Sequence, residues 1–504
     1  MRILQKMSKF RYQTKNKLIT MSIHKITPFL SDIKTFFKKS DMTAAMQNIG
    51  NILGSVKMTE RDTIGVVSKR NQVYRLLSVF QCLLMMPLFG VKKISGVDCS
   101  GIPLASFMSA HKDTFYRFIA NPDVNWRKAM WRVSLQLWNK IRMRTDHKTE
   151  DVCLILDDTD HEKTGRMIEK IGRVHSHLRH KSVLGFKCLA MAVSDGVSQL
   201  LLELELLGEK GRKGNYGMSA GELKKRKIGK KTSSLLDERK AAYDASKVEL
   251  AKEMIRRAIR HKLKFKYVLA DSWFTNKEIV RFIHGLHVAC HWLGMIKVGE
   301  KSRTKYKVGR KEFTAPQLVK KGKKEKLKKY SRRLRCHYIQ YDAVFGGVKV
   351  RIFLTRRTNH GSWNGMLTTD TSLDFPKAWE IYSRRWSLEV VFKDCKTHLG
   401  FGKCQSHTFA AQIAASSICA IQYNLLSTAR RFSDYETIGE LFREVSRETI
   451  QLSVAQQIWG VLQELVNAIA DAFGLMDEEI YDVIINESDK MAHICKFYNL
   501  STAS

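Results

Sequence analysis

Several things are missing from this chain of 504 residues, and each absence narrows its possible functions. Its ten cysteines include no Cys-x-x-Cys pair, so zinc-finger and disulfide-framework interpretations are weak and a reducing cytosol is favoured. The most hydrophobic run, residues 76–89, is too short for a bilayer and contains Pro87, which predicts a buried core helix. The first residues are basic without an apolar signal core. We therefore expect a soluble, cytoplasmic protein with no membrane partner.

Acidic residues are scarce. The chain has 49 Asp and Glu against 87 Lys and Arg, which gives a net charge of +38 and predicts a polyanionic partner. The excess is uneven, because acids outnumber basic residues from Asp434 to the end. This acidic end is more typical of a protein contact than of a DNA contact.

The chain changes character along its length. Residues 1–146 are predicted to be mostly helical, and two interpretations stay open: a DNA-binding module, or a helical bundle with a solvated basic face. Residues 150–296 alternate between strand and helix patterns. The strands are predicted at 152–156, 184–193, 198–207, 267–270 and 288–296. A long helix is predicted at 237–261 after a basic loop at 208–234, and Thr275 with Glu278 forms a capping-box pattern before another helix.

Residues 297–373 are predicted to be a basic, β-rich insertion. Residues 301–335 contain sixteen Lys and Arg against two acids, and Gly346-Gly347 separates the two halves of a predicted β-hairpin. Residues 374–403 are predicted to belong to the core again, as a helix that has Pro376 in its first turn. Residues 404–504 are predicted to be helical.

The stretch around which the chain is organised is residues 381–400, predicted as one helix ending at Gly400. On a helical wheel its polar residues of interest form one narrow stripe: Tyr382, Arg385, Glu389 and Lys396. An adjacent apolar face should be buried: Ile381, Leu388, Phe392, Cys395 and Leu399. The helix thus presents one carboxylate flanked by a phenol and two cations.

Two further acids follow predicted strands, Asp157 after the first and Asp271 after the fourth. Carboxyl ends of neighbouring strands line one crevice, so these acids would meet if the two strands are neighbours, with Glu389 closing over them. Three oxygen ligands suit Mg²⁺ or Mn²⁺, and two such ions can support phosphodiester cleavage and transesterification.

Each acid also has an ordinary structural interpretation. An Asp after a strand is often a turn former or a helix cap, and Asp158 and Asp160 compete with Asp157 for the role. Glu389 alone would be a solvated residue paired with Arg385 or Lys393. The joint pattern of strand ends, helix stripe and strand order favours a shared site.

The pattern of these residues resembles that of bacterial insertion-sequence transposases of the DDE superfamily, specifically the cut-and-paste Y-R-E-K group (insertion-sequence group four). In that signature two residues separate Tyr from Arg, three separate Arg from Glu and six separate Glu from Lys, and Tyr382, Arg385, Glu389 and Lys396 match every spacing. The group's D-x-T context for the first acid favours Asp157 over Asp158.

The resemblance implies an α/β fold: an RNase H-like core with a β-rich insertion, flanked by helical N- and C-terminal regions. It implies catalytic and metal-binding roles for Asp157, Asp271 and Glu389, with two Mg²⁺ or Mn²⁺ ions. Phosphate contacts would come from Tyr382, Arg385 and Lys396. A tryptophan of the insertion would stack on a flipped base, with Trp363 as the candidate and Trp292 or a plain core tryptophan as alternatives.

At the level of function, the resemblance implies a bacterial, nucleoid-associated transposase. Residues 1–146 would bind the ends of the element, and residues 404–504 would contribute to a homodimer on double-stranded DNA. Cleavage would free a 3′-hydroxyl that forms a DNA hairpin before insertion into a target. Three alternatives stay open: an inactive DNA-binding relative, a basic nucleic-acid-binding protein without catalysis, and a nuclease with the same core.

Overall fold

A twelve-stranded sheet, mixed but mostly antiparallel, forms the frame of the molecule in this computed structural model. The structure describes residues 44–89, 91, 93–97, 110–143, 152–176, 179–208, 217–228, 232–358 and 361–447. The chain divides into two units. One, made of Met1–Gln47 and Arg447–Ser504, lies almost entirely outside the described residues, and the other, Asn48–Ser446, contains the whole sheet.

The strands of the sheet come from both the predicted core and the predicted insertion. In chain order they are β1 (Cys153–Glu162), β2 (Gly172–Ser176), β3 (Lys181–Ser194), β4 (Gln199–Leu207), β5 (Tyr267–Ala270), β6 (His291–Ile296), β7 (Lys305–Val308), β8 (Lys311–Thr314), β9 (Lys329–Ser331), β10 (Cys336–Phe345), β11 (Val348–Arg356) and β12 (Asn364–Thr368).

Helices precede, interrupt and follow these strands. They are α1 (Ala44–Ser55), α2 (Leu76–Met85), α3 (Lys112–Ile119), α4 (Trp126–Met143), α5 (Ala220–Lys225), α6 (Ser234–Asp244), α7 (Lys247–Arg260), α8 (Lys277–His284), α9 (Ala315–Lys324), α10 (Phe375–Ser383), α11 (Trp386–His398) and α12 (Phe409–Arg431).

Strand β1 is central because it joins two kinds of pairing. On one side it pairs antiparallel with β3, which pairs antiparallel with β4. On the other side it pairs parallel with β5, and β5 pairs parallel with β6. The apolar first half of β1 is fully buried, as expected for a strand covered on both faces.

The strands predicted for the core are present, with one correction that matters for the site. The first strand was expected to end at residue 156, but β1 continues to Glu162. It does so because its antiparallel partner β3 is longer than its parallel partner β5, so pairing on the β3 side persists after the β5 side has ended. Asp157 therefore follows the last parallel pair while still lying within the strand.

The insertion belongs to the same sheet as the core. Its hairpin of β10 and β11, with the turn at Gly346-Gly347, is present as expected, and both glycines have positive φ angles of 62° and 88°. Strand β12 then pairs antiparallel with both β11 and β6. Residues 297–373 thus extend the core sheet through β6.

The helix predicted at 381–400 is wrong as a single element. The structure has two helices, α10 and α11, with Arg384 between them and Arg385 at the N-cap of α11. The apolar face predicted for this stretch is buried throughout, and Gly400 has a φ of 69° just after the last helix. Both junction residues keep right-handed helical backbone, and the N–H groups of Ser387 and Leu388 bond to the third residue back, so periodic burial continues across the junction and gave no sign of it.

Three further details differ from the sequence prediction. The helix expected at 237–261 is two helices, α6 and α7, because Ala245 adopts an extended backbone between them. The loop expected at 208–234 contains α5, capped by Ser219 and Glu222. The cap before α8 is Asn276, whose side chain accepts from the N–H of Ile279, in place of the predicted Thr275.

Helices α4 and α12 pack on strand β4. The Asn424 side chain joins all three, because its amide nitrogen donates to Ser134 Oγ at 2.8 Å and to the Leu201 carbonyl at 2.7 Å. Within the described residues α12 is the one helix long and apolar enough to cross a membrane, but 94% of its apolar window is buried inside the protein, as in a core helix. The core helix predicted at 76–89 is also confirmed, since α2 buries Val79 and Phe80.

Candidate functional site

Asp157 and Asp271 lie side by side because of the register of two parallel strands. The last parallel pair joins Leu156 of β1 to Ala270 of β5, and each acid is the next residue of its chain. The expectation that the first and fourth predicted strands are neighbours is confirmed. Two carboxylates thus meet at the carboxyl end of the parallel part of the sheet, where ligands bind in open α/β sheets.

The carboxyl group of Asp157 resists ionisation. Its burial raises its pKa to about 7; the positive charge of Arg385 opposes that shift, and the neighbouring charge of Asp271 adds to it. A carboxylate that is costly to ionise in a bare site is one that gains from a nearby cation.

Arg385 supplies one such cation and joins Asp157 to Glu389. Its Nη1 lies 2.5 Å from Asp157 Oδ2, and its Nη2 lies 2.7 Å from Glu389 Oε1. Glu389 is one turn along α11 from Arg385 and its side chain is 38% exposed. The arginine of the helix stripe therefore lies between a strand acid and the helix acid.

Tyr382 precedes this arginine at the end of α10. It is 8% exposed, and its ring centroid lies 5.8 Å from the guanidinium carbon of Arg385. Burial raises the pKa of its phenol to about 12, so this side chain stays protonated and able to donate at neutral pH. The backbone N–H of Arg385 donates to the Tyr382 carbonyl at 2.9 Å, so the two residues stay adjacent across the junction of α10 and α11.

Lys396 reaches β1 two residues beyond Asp157. Its Nζ donates to Thr159 Oγ1 at 2.7 Å, and its side chain lies partly buried. Burial lowers the pKa of Lys396, while the negative charge of Asp160 opposes that shift. The four residues of the stripe therefore lie along one border of β1, with Lys396 at the far end from Tyr382.

Strand alternation separates Asp157 from its two rivals. Successive side chains of a strand point to opposite faces, so Asp157 and Thr159 face α11. Asp158 instead pairs with Lys247 of α7, and Asp160 pairs with Lys187 directly opposite it on β3. Among the three neighbouring acids, Asp157 is the one that shares a partner with Glu389.

The donor chemistry of the site suits a hard divalent cation, because all three acids offer carboxylate oxygens. In the described part of the chain, however, no three acidic, histidine or cysteine side chains are gathered closely enough to hold a metal ion. The guanidinium of Arg385 lies between Asp157 and Glu389 in the place that a shared cation would need. The donors therefore fit in kind and in neighbourhood, with Arg385 bridging the gap between the strand acid and the helix acid.

The tryptophans predicted as base-stacking candidates lie in different settings. Trp292 is fully buried in β6 and is excluded as a surface for a base. Trp363 lies just before β12 in the insertion, with the cations of Arg356 and Lys323 at 5.1 and 5.9 Å from its ring centroid. These neighbours belong to the insertion, so the structure does not bring Trp363 into the carboxylate cluster.

Sequence reasoning missed two residues beside the acids. Trp273, two residues after Asp271, is 44% exposed, and Lys247 lies over its ring with Nζ 4.7 Å from the centroid. The closeness of Trp273 to Asp271 in the sequence was a usable signal. Nothing local pointed to Lys247, which reaches the site from the first turn of α7.

Comparison with known proteins agrees with this part of the chain. Residues 225–425 match a family model described as a transposase DDE domain, a segment that includes Asp271 and Glu389 and begins after Asp157. No curated protein matches the chain significantly.

Among solved structures, the chain is similar to a piggyBac transposase, determined by cryo-electron microscopy as a synaptic complex with hairpin DNA. The TM-score is 0.41 at 10% sequence identity, over 84% of this chain and 81% of that one. The family match is what relates residues 225–425 of this protein to a transposase DDE domain.

Proposed function

We propose that this protein is a DNA transposase that cleaves and joins DNA strands with the site formed by Asp157, Asp271 and Glu389. One observation carries the proposal. Asp157 and Asp271 follow paired residues of neighbouring strands, and Arg385 joins Asp157 to Glu389. Asp271 and Glu389 lie within the segment similar to a transposase DDE domain, and Asp157 precedes it.

The proposal includes an RNase H-like core and membership of the Y-R-E-K group. The order β4, β3, β1, β5 and β6, with three antiparallel strands followed by two parallel ones, supports such a core. The spacing from Tyr382 to Lys396 supports the group, and so do the contacts of Arg385 with Asp157 and Glu389.

Asp157, Asp271 and Glu389 would hold Mg²⁺ or Mn²⁺, two ions in the fully assembled site. When bound, the ions supply charge that activates an oxygen nucleophile and stabilises a leaving oxygen at phosphorus. Arg385, which lies between Asp157 and Glu389, would bind a phosphate oxygen, for which its planar guanidinium fork is suited.

The remaining side chains position DNA. Lys396 offers a cation farther along β1, and the protonated Tyr382 can donate a hydrogen bond. In the first step a water oxygen attacks phosphorus and the 3′-oxygen leaves, which frees a 3′-hydroxyl. That hydroxyl then attacks the opposite strand, displaces its 3′-oxygen and forms a hairpin, which is reopened before insertion into target DNA.

Charge and organisation fit a DNA partner. The net charge of +38 favours binding to a polyanion, with affinity that falls steeply as salt rises. We propose that residues 1–146 bind the ends of the element, that residues 404–504 contribute to a homodimer, and that Trp363 stacks on a base. Residues 1–43 and 448–504 lie outside the described residues. The proposed setting is the bacterial cytoplasm, at the nucleoid.

The test is Mg²⁺-dependent nicking of a duplex that carries the element's own end, with wild type beside Glu389→Gln. The substitution keeps size and polarity but removes the ligand charge. Glu380→Gln is the matched control, because Glu380 lies on α10 and pairs with Lys377 and Arg333 at the surface. We expect wild type and the control to nick, and Glu389→Gln to bind DNA without nicking.

Other results would select among the alternatives. If wild type binds but neither Mg²⁺ nor Mn²⁺ supports nicking, the protein is a DNA-binding relative without catalysis and the proposal fails. If nicking occurs but a 3′-hydroxyl end is never joined to a second duplex, a nuclease with the same core is the better description.

A further inference from the structure

Trp273 is an exposed aromatic side chain immediately beside the acids. The exposed aromatic residues among those described are few: Tyr116, Trp273, Tyr330 and Trp386. Trp273 stands out because it follows Asp271 by two residues, in the loop that leads from β5 to α8. Whatever contacts its ring is therefore next to the proposed reaction centre.

The backbone fixes the position of this ring relative to Asp271. The N–H of Trp273 donates to Asp271 Oδ1 at 2.9 Å, which closes a tight turn after the strand. Phe274, the next residue, is buried, and its ring meets that of Trp273 edge-on at 5.1 Å with an interplanar angle of 77°. The loop thus holds Trp273 by its backbone and by one ring edge.

Lys247 adds charge to the same platform. Its Nζ lies 4.7 Å from the ring centroid of Trp273 and also pairs with Asp158, the residue after Asp157. Trp273 is therefore linked to both strands: its backbone N–H contacts Asp271, which follows β5, and Lys247 joins its ring to Asp158 of β1. The 44% of Trp273 that stays exposed is left available to a flat ligand.

We infer that Trp273 is a stacking platform for an unpaired nucleobase next to the phosphate that is cleaved, with Lys247 as the accompanying cation. Every base has a π face, so stacking on the part of the ring that stays exposed holds a nucleotide without reading its identity, and the lysine over the same ring can meet the adjoining phosphate. This inference rests on the proposed function and deepens it, because it assigns a nucleobase contact outside the insertion that carries Trp363.

A photochemical experiment tests the contact locally. The probe is a short thymidine oligonucleotide with one central 5-iododeoxyuridine, irradiated with the full-length protein in Mg²⁺-free buffer, and the cross-linked residue is located by mass spectrometry. We expect the cross-link on Trp273. A label spread over exposed aromatic residues such as Tyr330, with no preference for Trp273, overturns the inference.

Binding measurements separate stacking from folding. Trp273→Leu should weaken binding of a base-bearing oligonucleotide about 5- to 100-fold, while Trp273→Phe retains most of the affinity. An oligonucleotide of the same length with abasic central positions carries the same phosphates, so its affinity should be unchanged by Trp273→Leu. An equal loss for both oligonucleotides would show a general structural role and contradict the inference.

The two proposals fail in different ways. If the protein binds neither these oligonucleotides nor the duplex that carries the element's end, the proposed function itself is wrong. If it binds and nicks DNA, but the cross-link and the base-dependent affinity do not involve Trp273, only the stacking platform is wrong.

Discussion

The molecule contains two clusters of buried charge that are built differently. The first lies where α4, α6 and α7 cover β4, and its acids, Glu203 and Glu205, are fully buried. Glu203 meets Arg127 at 3.0 Å and Arg257 at 2.7 Å, and it accepts from the indole N–H of Trp131 at 3.1 Å. Glu205 meets Arg127 at 2.5 Å and Arg239 at 3.1 Å.

The second cluster is the candidate site, where compensation is incomplete. A single guanidinium, that of Arg385, serves both Asp157 and Glu389, and the pKa of Asp157 is still raised to about 7 by burial. Within the described residues Asp271 makes no ion pair. The β4 cluster holds three arginines for two acids, whereas the site holds one arginine among three.

We interpret the paired charges of the β4 cluster as stabilising the fold, and the incompletely paired acids of the candidate site as available to a ligand. Buried acids that are fully paired are costly to disturb but have no capacity left for a cation. Under-compensated acids reduce stability in the bare protein and gain when a cation or a phosphate-bound ion arrives. Three substitutions would break or sharpen this comparison.

The largest effect on stability should come from the β4 cluster. Glu203→Gln removes the carboxylate partner of the largely buried Arg257 and one of those of Arg127, which keeps Glu205, and the free energy of unfolding should fall by about 3 kcal/mol. Urea denaturation measures it, with Glu253→Gln as the control, because the surface pair of Glu253 and Arg256 should contribute less than about 1 kcal/mol. Equal effects at the two positions would show that the cluster is not the stabilising one.

An opposite sign is expected at Asp157. Its pKa is raised by burial to about 7, above its value in an unfolded chain, so ionising it costs stability as pH rises from about 4 to 7. Asp157→Asn should therefore unfold less readily than wild type by on the order of 2 kcal/mol at pH 8, and the gain should vanish near pH 4.

This prediction is checked by urea denaturation across that pH range in a chelating buffer, alongside a nicking assay in Mg²⁺. The variant should lose nicking while it gains stability. A variant that is less stable than wild type at pH 8 would mean that the ion pair with Arg385 outweighs the burial of Asp157.

The smallest effect concerns Arg385. Arg385→Gln removes one cation that we expect to bind a phosphate, so the slope of log affinity against log salt should become shallower by about 0.9. Salt titration of binding to the same duplex measures it, with Arg333→Gln as the surface control. An unchanged slope would mean that Arg385 serves the carboxylates alone.

Structural features that are set by neighbouring residues could be predicted from the sequence. Features that are set by distant parts of the chain could not. The placing of Asp157 and Asp271 after buried strands was predictable, because both follow short apolar runs. That the two strands are neighbours was only a condition in the sequence, and the parallel pairing of β1 with β5 supplies it. The break at Arg384 was not, since a helical wheel records the periodicity of burial and that periodicity continues across the break. The length of β1 was missed because it depends on β3, a partner about thirty residues away.

The β4 cluster could not be predicted from the local sequence pattern either. Glu203 and Glu205 alternate with leucines, as in a strand with one solvated face, yet both are buried. The arginines that cover them come from three different helices, and no pattern within β4 records their approach. Likewise the platform at Trp273 needs Lys247, which comes from a helix that precedes β5.

The pairing of β12 with β6 has a practical consequence for anyone who wishes to trim this protein. Residues 297–373 look removable in the sequence, as a detour between two parts of a core. In the sheet, β12 covers the side of β6 that faces away from β5, so excising the detour would leave β6 with a row of unpaired backbone N–H and C=O groups. Such an edge invites pairing with another molecule, and the shortened protein should aggregate where the full-length chain stays in solution.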